Sequence, residues 1–117
     1  MRNATITGWG KCMPPATLTN DDISTFLETD DEWITTRTGI RERRISHMSL
    51  EEMGALAAHR ALACADLAPD ALDLIVFGTC SFDQQVPNSA SGVQKRIGAV
   101  NAGAMDVNTA CTSYLYG

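Results

Sequence analysis

At 117 residues the chain is long enough for one ordinary domain and too short for two. Its 44% hydrophobic and 20% charged residues suit a soluble globular protein, and there is no run of ~20 apolar residues that could span a bilayer. The net charge of −5 argues against non-specific nucleic-acid binding.

Met1-Arg2-Asn3-Ala4-Thr5 lacks the long apolar run of a secretory signal, so the cytoplasm is the expected location. Residues Ala4 to Trp9 alternate weakly and end at Gly10, which predicts a strand, broken by Pro14-Pro15. Asn20 reads as the N-cap of a short helix with Asp21 and Asp22 in its first turn and Ile23, Phe26 and Leu27 on one face. A second short helix is predicted from Asp31 to about Thr38, closed by Gly39. The clearest helix begins at Ser49, where Ser49 and Glu52 form a capping-box pattern ahead of Met53, Leu56, Ala57 and Ala61. Its many alanines permit close packing, and Asp66 to Pro69 is the turn that ends it.

Leu72 to Thr79 is a short, partly β-branched apolar run and predicts a buried strand. Pro87 to about Ile97 predicts a helix with proline in its first turn and Gly98 at its end. Ala102 to Val107 is the third candidate strand, and a helix is predicted to start near Cys111. The order of strands and helices implies α/β architecture with parallel strands. Three strands make a small sheet that needs cover on both faces, and the final helix is short for independent stability. The expectation is therefore a fragment, or a fold that another chain completes.

Cysteines stand at 12, 64, 80 and 111, with no Cys-x-x-Cys pair and no metal-ligand spacing to His47 or His59, so no zinc site is expected. Two disulfides are possible by count but unnecessary for an apolar core of this size. Cys12, Cys64 and Cys80 sit in apolar segments as small hydrophobes. Cys111 differs. It follows a strand and a turn, Asn108-Thr109-Ala110, at the mouth of the sheet where α/β folds bind ligands. The N-terminus of a following helix would offer free N–H groups and partial positive charge to a thiolate. That alone is insufficient, so a base or further donors should complete the site. The competing reading is a buried structural cysteine at a strand–helix junction.

The segment GAMDVNTACTSYLYG (103–117) resembles the active-site cysteine segment of β-ketoacyl-ACP synthase III, Asp-Val-x-x-Ala-Cys followed by small residues. DDEWITTRTGIRER (30–43) resembles that family's N-terminal signature and is the more specific match; Asn20, the strand Leu74 to Phe77 and the Val86-Pro87 turn also fall at matching places. Thr109 stands where the family usually has alanine, and Ser113 where it usually has glycine.

The resemblance implies the thiolase-like α/β fold, with residues 1–117 as the N-terminal portion of its first αβα half, ending just after the nucleophile. It implies that Cys111 takes an acyl group from acyl-CoA, after which malonyl-ACP decarboxylates and condenses to a 3-ketoacyl-ACP in fatty acid biosynthesis. Thr29, Trp33 and Arg37 would hold coenzyme A as a substrate moiety. Trp33 could instead be a helix-packing aromatic, and Arg41, Arg43 and Arg44 a solvated loop. Val86 would line the acyl pocket of the partner in a homodimer, its modest size leaving room for medium chains, or would simply pack locally as a turn residue. His47 and His59 are not the catalytic histidine, because the family's histidine and asparagine come from its later half; the isolated chain would be inactive. No metal or redox cofactor is implied. The alternatives are a non-decarboxylating acyltransferase of secondary metabolism on the same fold and, for the fragment, an inactive interface-forming chain.

Overall fold

The computed structural model describes residues 3–117, which divide into two units: Met13–His47, and residues 3–12 together with Met48–Gly117. In the smaller unit, β1 (Ala16–Thr19) starts directly after Pro15 and runs into α1 (Asn20–Ser24). The N-cap of α1 is Thr19, one residue earlier than expected: its hydroxyl accepts from the Asp22 N–H, and the Asp22 carboxylate accepts from the Thr19 N–H at 2.8 Å. The Thr19 hydroxyl, and then its N–H, hold the Asp22 carboxyl below the usual carboxylate range. Asn20 is displaced from the cap because its side chain is buried elsewhere, and Phe26 and Leu27 are exposed.

α2 (Asp31–Thr38) has Asp30 as its N-cap and closes at Gly39, whose φ of 71° suits glycine. The chain then enters β2 (Glu42–Ile45), which pairs antiparallel with β1 in the register Ala16↔Ile45 to Thr19↔Glu42. Arg43 and Arg44 thus lie on a strand and not in a loop, while Arg41 precedes it and is exposed. Arg43 donates to the Asn20 side chain at 2.8 Å, and Arg44 reaches the carbonyls of Pro14 and Pro15.

In the larger unit, α3 (Leu50–Ala65) starts at the Ser49–Glu52 capping box, and its C-cap Asp66 adopts φ 52°. β3 (Leu74–Gly78), α4 (Ser89–Ile97) and β4 (Gly103–Val107) form a βαβ unit whose strands pair in parallel, Leu74↔Gly103 through Gly78↔Val107. α4 begins later than the proline suggested. Asn88 is its N-cap, and the Asp106 carboxylate accepts from the N–H groups of Ser89 and Ala90 at 2.9 and 2.7 Å. Pro87, in a cis peptide with Val86, lies outside the helix.

Residues 4–9 are not a strand. A strand needs a ladder partner, and this segment lies instead along α3, with Gly8 and Gly10 close against the carbonyls of Ala61 and Ala57. A Cβ on Gly10 would stand 2.6 Å from the Ala61 nitrogen. The alanine face of α3 thus serves this glycine-bearing segment. The described strands form two separate two-stranded sheets, in place of one three-stranded parallel sheet. The core lies between α3, α4 and one sheet face: Ala55, Leu62, Val93, Ile97, Ala99 and Ala102, with Ile75 and Phe77 packed on it. Among the described residues no helix is long and apolar enough to cross a membrane.

Candidate functional site

Alternation along β3 divides its side chains between two faces. Ile75 and Phe77 pack into the helix-covered core, while Leu74, Val76 and Gly78 face the other way and line an open cleft of about 620 Å³. Ala110, Cys111, Ser113, Tyr114 and Gly117 complete its wall. Because β3 and β4 run parallel and end level, with the Thr79 N–H donating to the Val107 carbonyl at 3.1 Å, the chain leaving β4 turns back over this face. Cys111 is exposed there, with access to the cleft. It is not packed among apolar side chains.

The turn differs from the expected helix start. Residues Ala110–Thr112 form a 3-10 turn, and α5 (Ser113–Tyr116) begins two residues after Cys111. Cys111 therefore sits in the middle of the 3-10 turn and not in the first turn of a helix. The turn has its own source of definition. Ala110 has φ 47°, a left-handed backbone that costs an L-residue roughly 1–2 kcal/mol. The residues around it are densely bonded. Thr112 donates its hydroxyl and its N–H to the Thr109 carbonyl at 2.6 and 3.1 Å, and the Thr109 N–H donates to Ser113 Oγ at 3.1 Å. Ser113 itself is buried and also lies 3.3 Å from the Val107 carbonyl.

The second cluster belongs to the smaller unit. Asn20, 1% exposed, donates to Asp31 Oδ1 at 2.7 Å and to the Ile40 carbonyl at 2.8 Å, with Thr35 Oγ1 at 3.3 Å. Its Oδ1 accepts from Arg43. Asn20 thereby ties both ends of α2 to β2. Its hydrogen bond, followed by that from Thr35 and the nearby charge of Arg41, holds the Asp31 carboxyl below the usual range.

On the outer side of α2 so fixed, the Arg37 guanidinium stacks over the Trp33 ring at 4.3 Å from its centroid. Trp33 is 51% exposed in this chain. It borders two hollows, one of about 290 Å³ with Asp30, Glu32, Thr36 and Arg37, and one of about 370 Å³ with Ile23, Leu27, Glu28, Thr29 and Ile34. Thr29 Oγ1 is buried at the edge of the second and has no hydrogen-bond partner, an unpaired polar group of the kind folded proteins seldom leave unsatisfied. Thr29, Trp33 and Arg37 are thus brought together around one helix. Val86 is 86% exposed and packs against nothing locally. His47 and His59 are both exposed.

Three features escaped the sequence reading: the Asn20 hub, the use of Asp106 to cap α4, and the bonding of Thr109 to Ser113. Asp106 belongs to the quoted Asp-Val-x-x-Ala-Cys segment, so a capping role could have been suspected for it. The others depend on contacts between residues distant in sequence or on side-chain rotamers, which leave no periodic trace.

Comparison with known proteins places these features in a wider context. No family model matches the chain. β-Ketoacyl-[acyl-carrier-protein] synthase III 2 of Vibrio cholerae serotype O1 is 55% identical over 114 residues, covering 97% of this chain and 32% of that protein. Among solved structures, 3-oxoacyl-[acyl-carrier-protein] synthase III from Aquifex aeolicus VF5 superposes with a TM-score of 0.89 at 41% identity, over 95% of this chain and 36% of that one. The priming β-ketosynthase of the R1128 polyketide biosynthetic pathway superposes at 0.88 and 34% identity, over 95% of this chain and 34% of that one. The chain spans about a third of the length of the curated relatives it matches. The architecture is the thiolase-like α/β fold expected from the sequence, with small, incomplete sheets.

Proposed function

From a chain that belongs, over nearly its whole length, with the N-terminal part of the β-ketoacyl-ACP synthase III family, we propose an acyltransferase in which Cys111 is the nucleophile. The observation that carries this reading is the exposed Cys111 thiol at the C-terminal end of β4, on the wall of the open cleft. The Cys111 thiolate attacks the carbonyl carbon of an acyl-CoA thioester. The new S–C bond forms, the bond to coenzyme A breaks, and coenzyme A leaves as its thiol. Malonyl-ACP then loses carbon dioxide, and the resulting carbanion attacks the acyl carbonyl, releasing the Cys111 thiolate and a 3-ketoacyl-ACP. Backbone N–H groups hold the tetrahedral oxyanion. The histidine and asparagine that stabilise the enolate in this family lie at positions outside this chain.

Coenzyme A docks on the smaller unit. The Trp33 indole stacks on the adenine, worth ~1–3 kcal/mol. Arg37 meets a phosphate while remaining over the indole, and Thr29 lines the hollow beside Trp33 that the nucleotide enters. The exposed Val86 reaches the acyl pocket of the partner in a homodimer and leaves it wide enough for medium chains. The acidic carrier protein is drawn by local arginines rather than by the net charge, which is itself negative.

Supplying the complete protein with acyl-CoA and malonyl-ACP tests the reaction. Mass spectrometry should find 3-ketoacyl-ACP and carbon dioxide release in equal amounts; acyl transfer without carbon dioxide would overturn the condensation step. A second reading draws support from the likeness to the priming ketosynthase: the same acyl-enzyme serves a secondary product, and a carrier or acceptor other than that of fatty acid synthesis is acylated preferentially.

A further inference from the structure

The nucleophile's turn carries a pair of hydroxyls that the reaction scheme leaves unused. Thr109 and Ser113 stand two residues before and two after Cys111, and their oxygens are 3.2 Å apart. Ser113 Oγ donates to the Val107 carbonyl and accepts the Thr109 N–H, so its single proton is committed and the Thr109 hydroxyl must donate to it. Ser113 has room because residue 78 of β3 is glycine: a Cβ there would stand 2.7 Å from the Ser113 Cβ. Between the two hydroxyls lies Ala110 with its left-handed φ of 47°. A strained residue persists only where its surroundings over-determine it, and here the surroundings are this bonded pair together with Thr112.

We propose that Thr109 and Ser113 are positioning residues, whose bonded hydroxyls hold Ala110 in its strained conformation and so fix the Cys111 thiol toward the cleft. The inference rests on Cys111 being the nucleophile, and the two ideas separate by experiment. In the complete protein, single-turnover acylation of Cys111 by acyl-CoA is measured for the parent, Thr109→Val, Ser113→Ala and the double variant. At saturating acyl-CoA the double variant should acylate about tenfold more slowly, with half-saturation by acyl-CoA unchanged. Adding Ala110→Gly, which removes the left-handed penalty, should restore the rate to within about threefold of the parent. The Gly78→Ala/Ser113→Gly double variant moves the methyl-sized group from α5 to β3 without the hydroxyl, and it should remain slow.

Amide exchange at Thr109 gives a readout independent of chemistry: its N–H should exchange at least about tenfold faster in Ser113→Ala. Unchanged acylation in the Thr109→Val/Ser113→Ala protein, or no recovery with Ala110→Gly, overturns the positioning role while Cys111 still labels. A parent that never labels at Cys111 overturns the nucleophile reading and this inference with it, and accelerated exchange at Thr109 would then show a bonded pair of structural use only.

Discussion

Asn20→Ala removes a side chain that is 1% exposed and bonded to Asp31, Ile40 and Arg43. The Ile40 carbonyl loses its partner, the half-buried Arg43 guanidinium loses an acceptor, and a small cavity opens between α2 and β2. A lost neutral bond is worth about 0.5–1.5 kcal/mol and one to a charged group about 1.5–3 kcal/mol, the latter discounted because Arg43 regains some water, so a loss of about 2–4 kcal/mol is expected. Asn20→Asp provides the sharper contrast. It keeps the shape and the bond to Arg43 but turns an oxygen toward the Asp31 carboxylate and the Ile40 carbonyl, both of which need a donor. It should be more damaging than alanine near neutral pH and recover as acid protonates the introduced carboxyl. Urea unfolding of the complete protein, followed by far-UV circular dichroism, measures both. An Asn20→Ala loss below about 0.5 kcal/mol, the usual range for neutral surface changes, or an Asn20→Asp protein as stable as the parent at pH 7, would refute the hub.

The remaining expectations address separate links. Asp31 is held below its ordinary value of 3.8, first by Asn20, so its stabilising contribution is full above that value and disappears as pH falls through the lowered one; NMR titration should find its midpoint moved back up in Asn20→Ala. Gly10→Ala would press a methyl onto the Ala57 carbonyl and the Ala61 nitrogen, backbone atoms that cannot turn aside, and should cost about 1–3 kcal/mol in the same urea assay; Gly39→Ala, with open space around it but a φ of 71°, should cost less than Gly10→Ala. Trp33→Ala should weaken coenzyme A binding about ten- to a hundredfold by calorimetry, with Trp33→Phe retaining much of the affinity. Equal affinity in Trp33→Ala would remove the stacking role.

The helices that could be read in advance carry their own punctuation. α3 is announced by Ser49 and Glu52, and α2 is stopped by Gly39, because cap chemistry is local and fixed by a few adjacent residues. The β1–β2 ladder could not be read this way. ATLT is only four residues long and ERRI is mostly charged, and they exist as strands only because the chain between them returns one to the other. The reverse error befell residues 4–9, whose mild alternation has no ladder partner and whose Gly8, like Gly10 just beyond, serves contact with α3. At the site, the place of Cys111 beyond β4 followed from strand–turn order and from the motif. The turn's conformation did not, since φ at Ala110 is set by bonds among Thr109, Thr112 and Ser113. The grouping of Thr29, Trp33 and Arg37 came from the family resemblance, whereas the unpaired hydroxyl of Thr29 is a fact of packing.

The most direct measurement is to incubate the complete protein with radiolabelled acyl-CoA, quench in acid and map the label by proteolysis. We expect label on the peptide carrying Cys111, none there in Cys111→Ala, and none on Cys12, Cys64 or Cys80 in either protein. Label of equal amount in the Cys111→Ala protein would contradict the account.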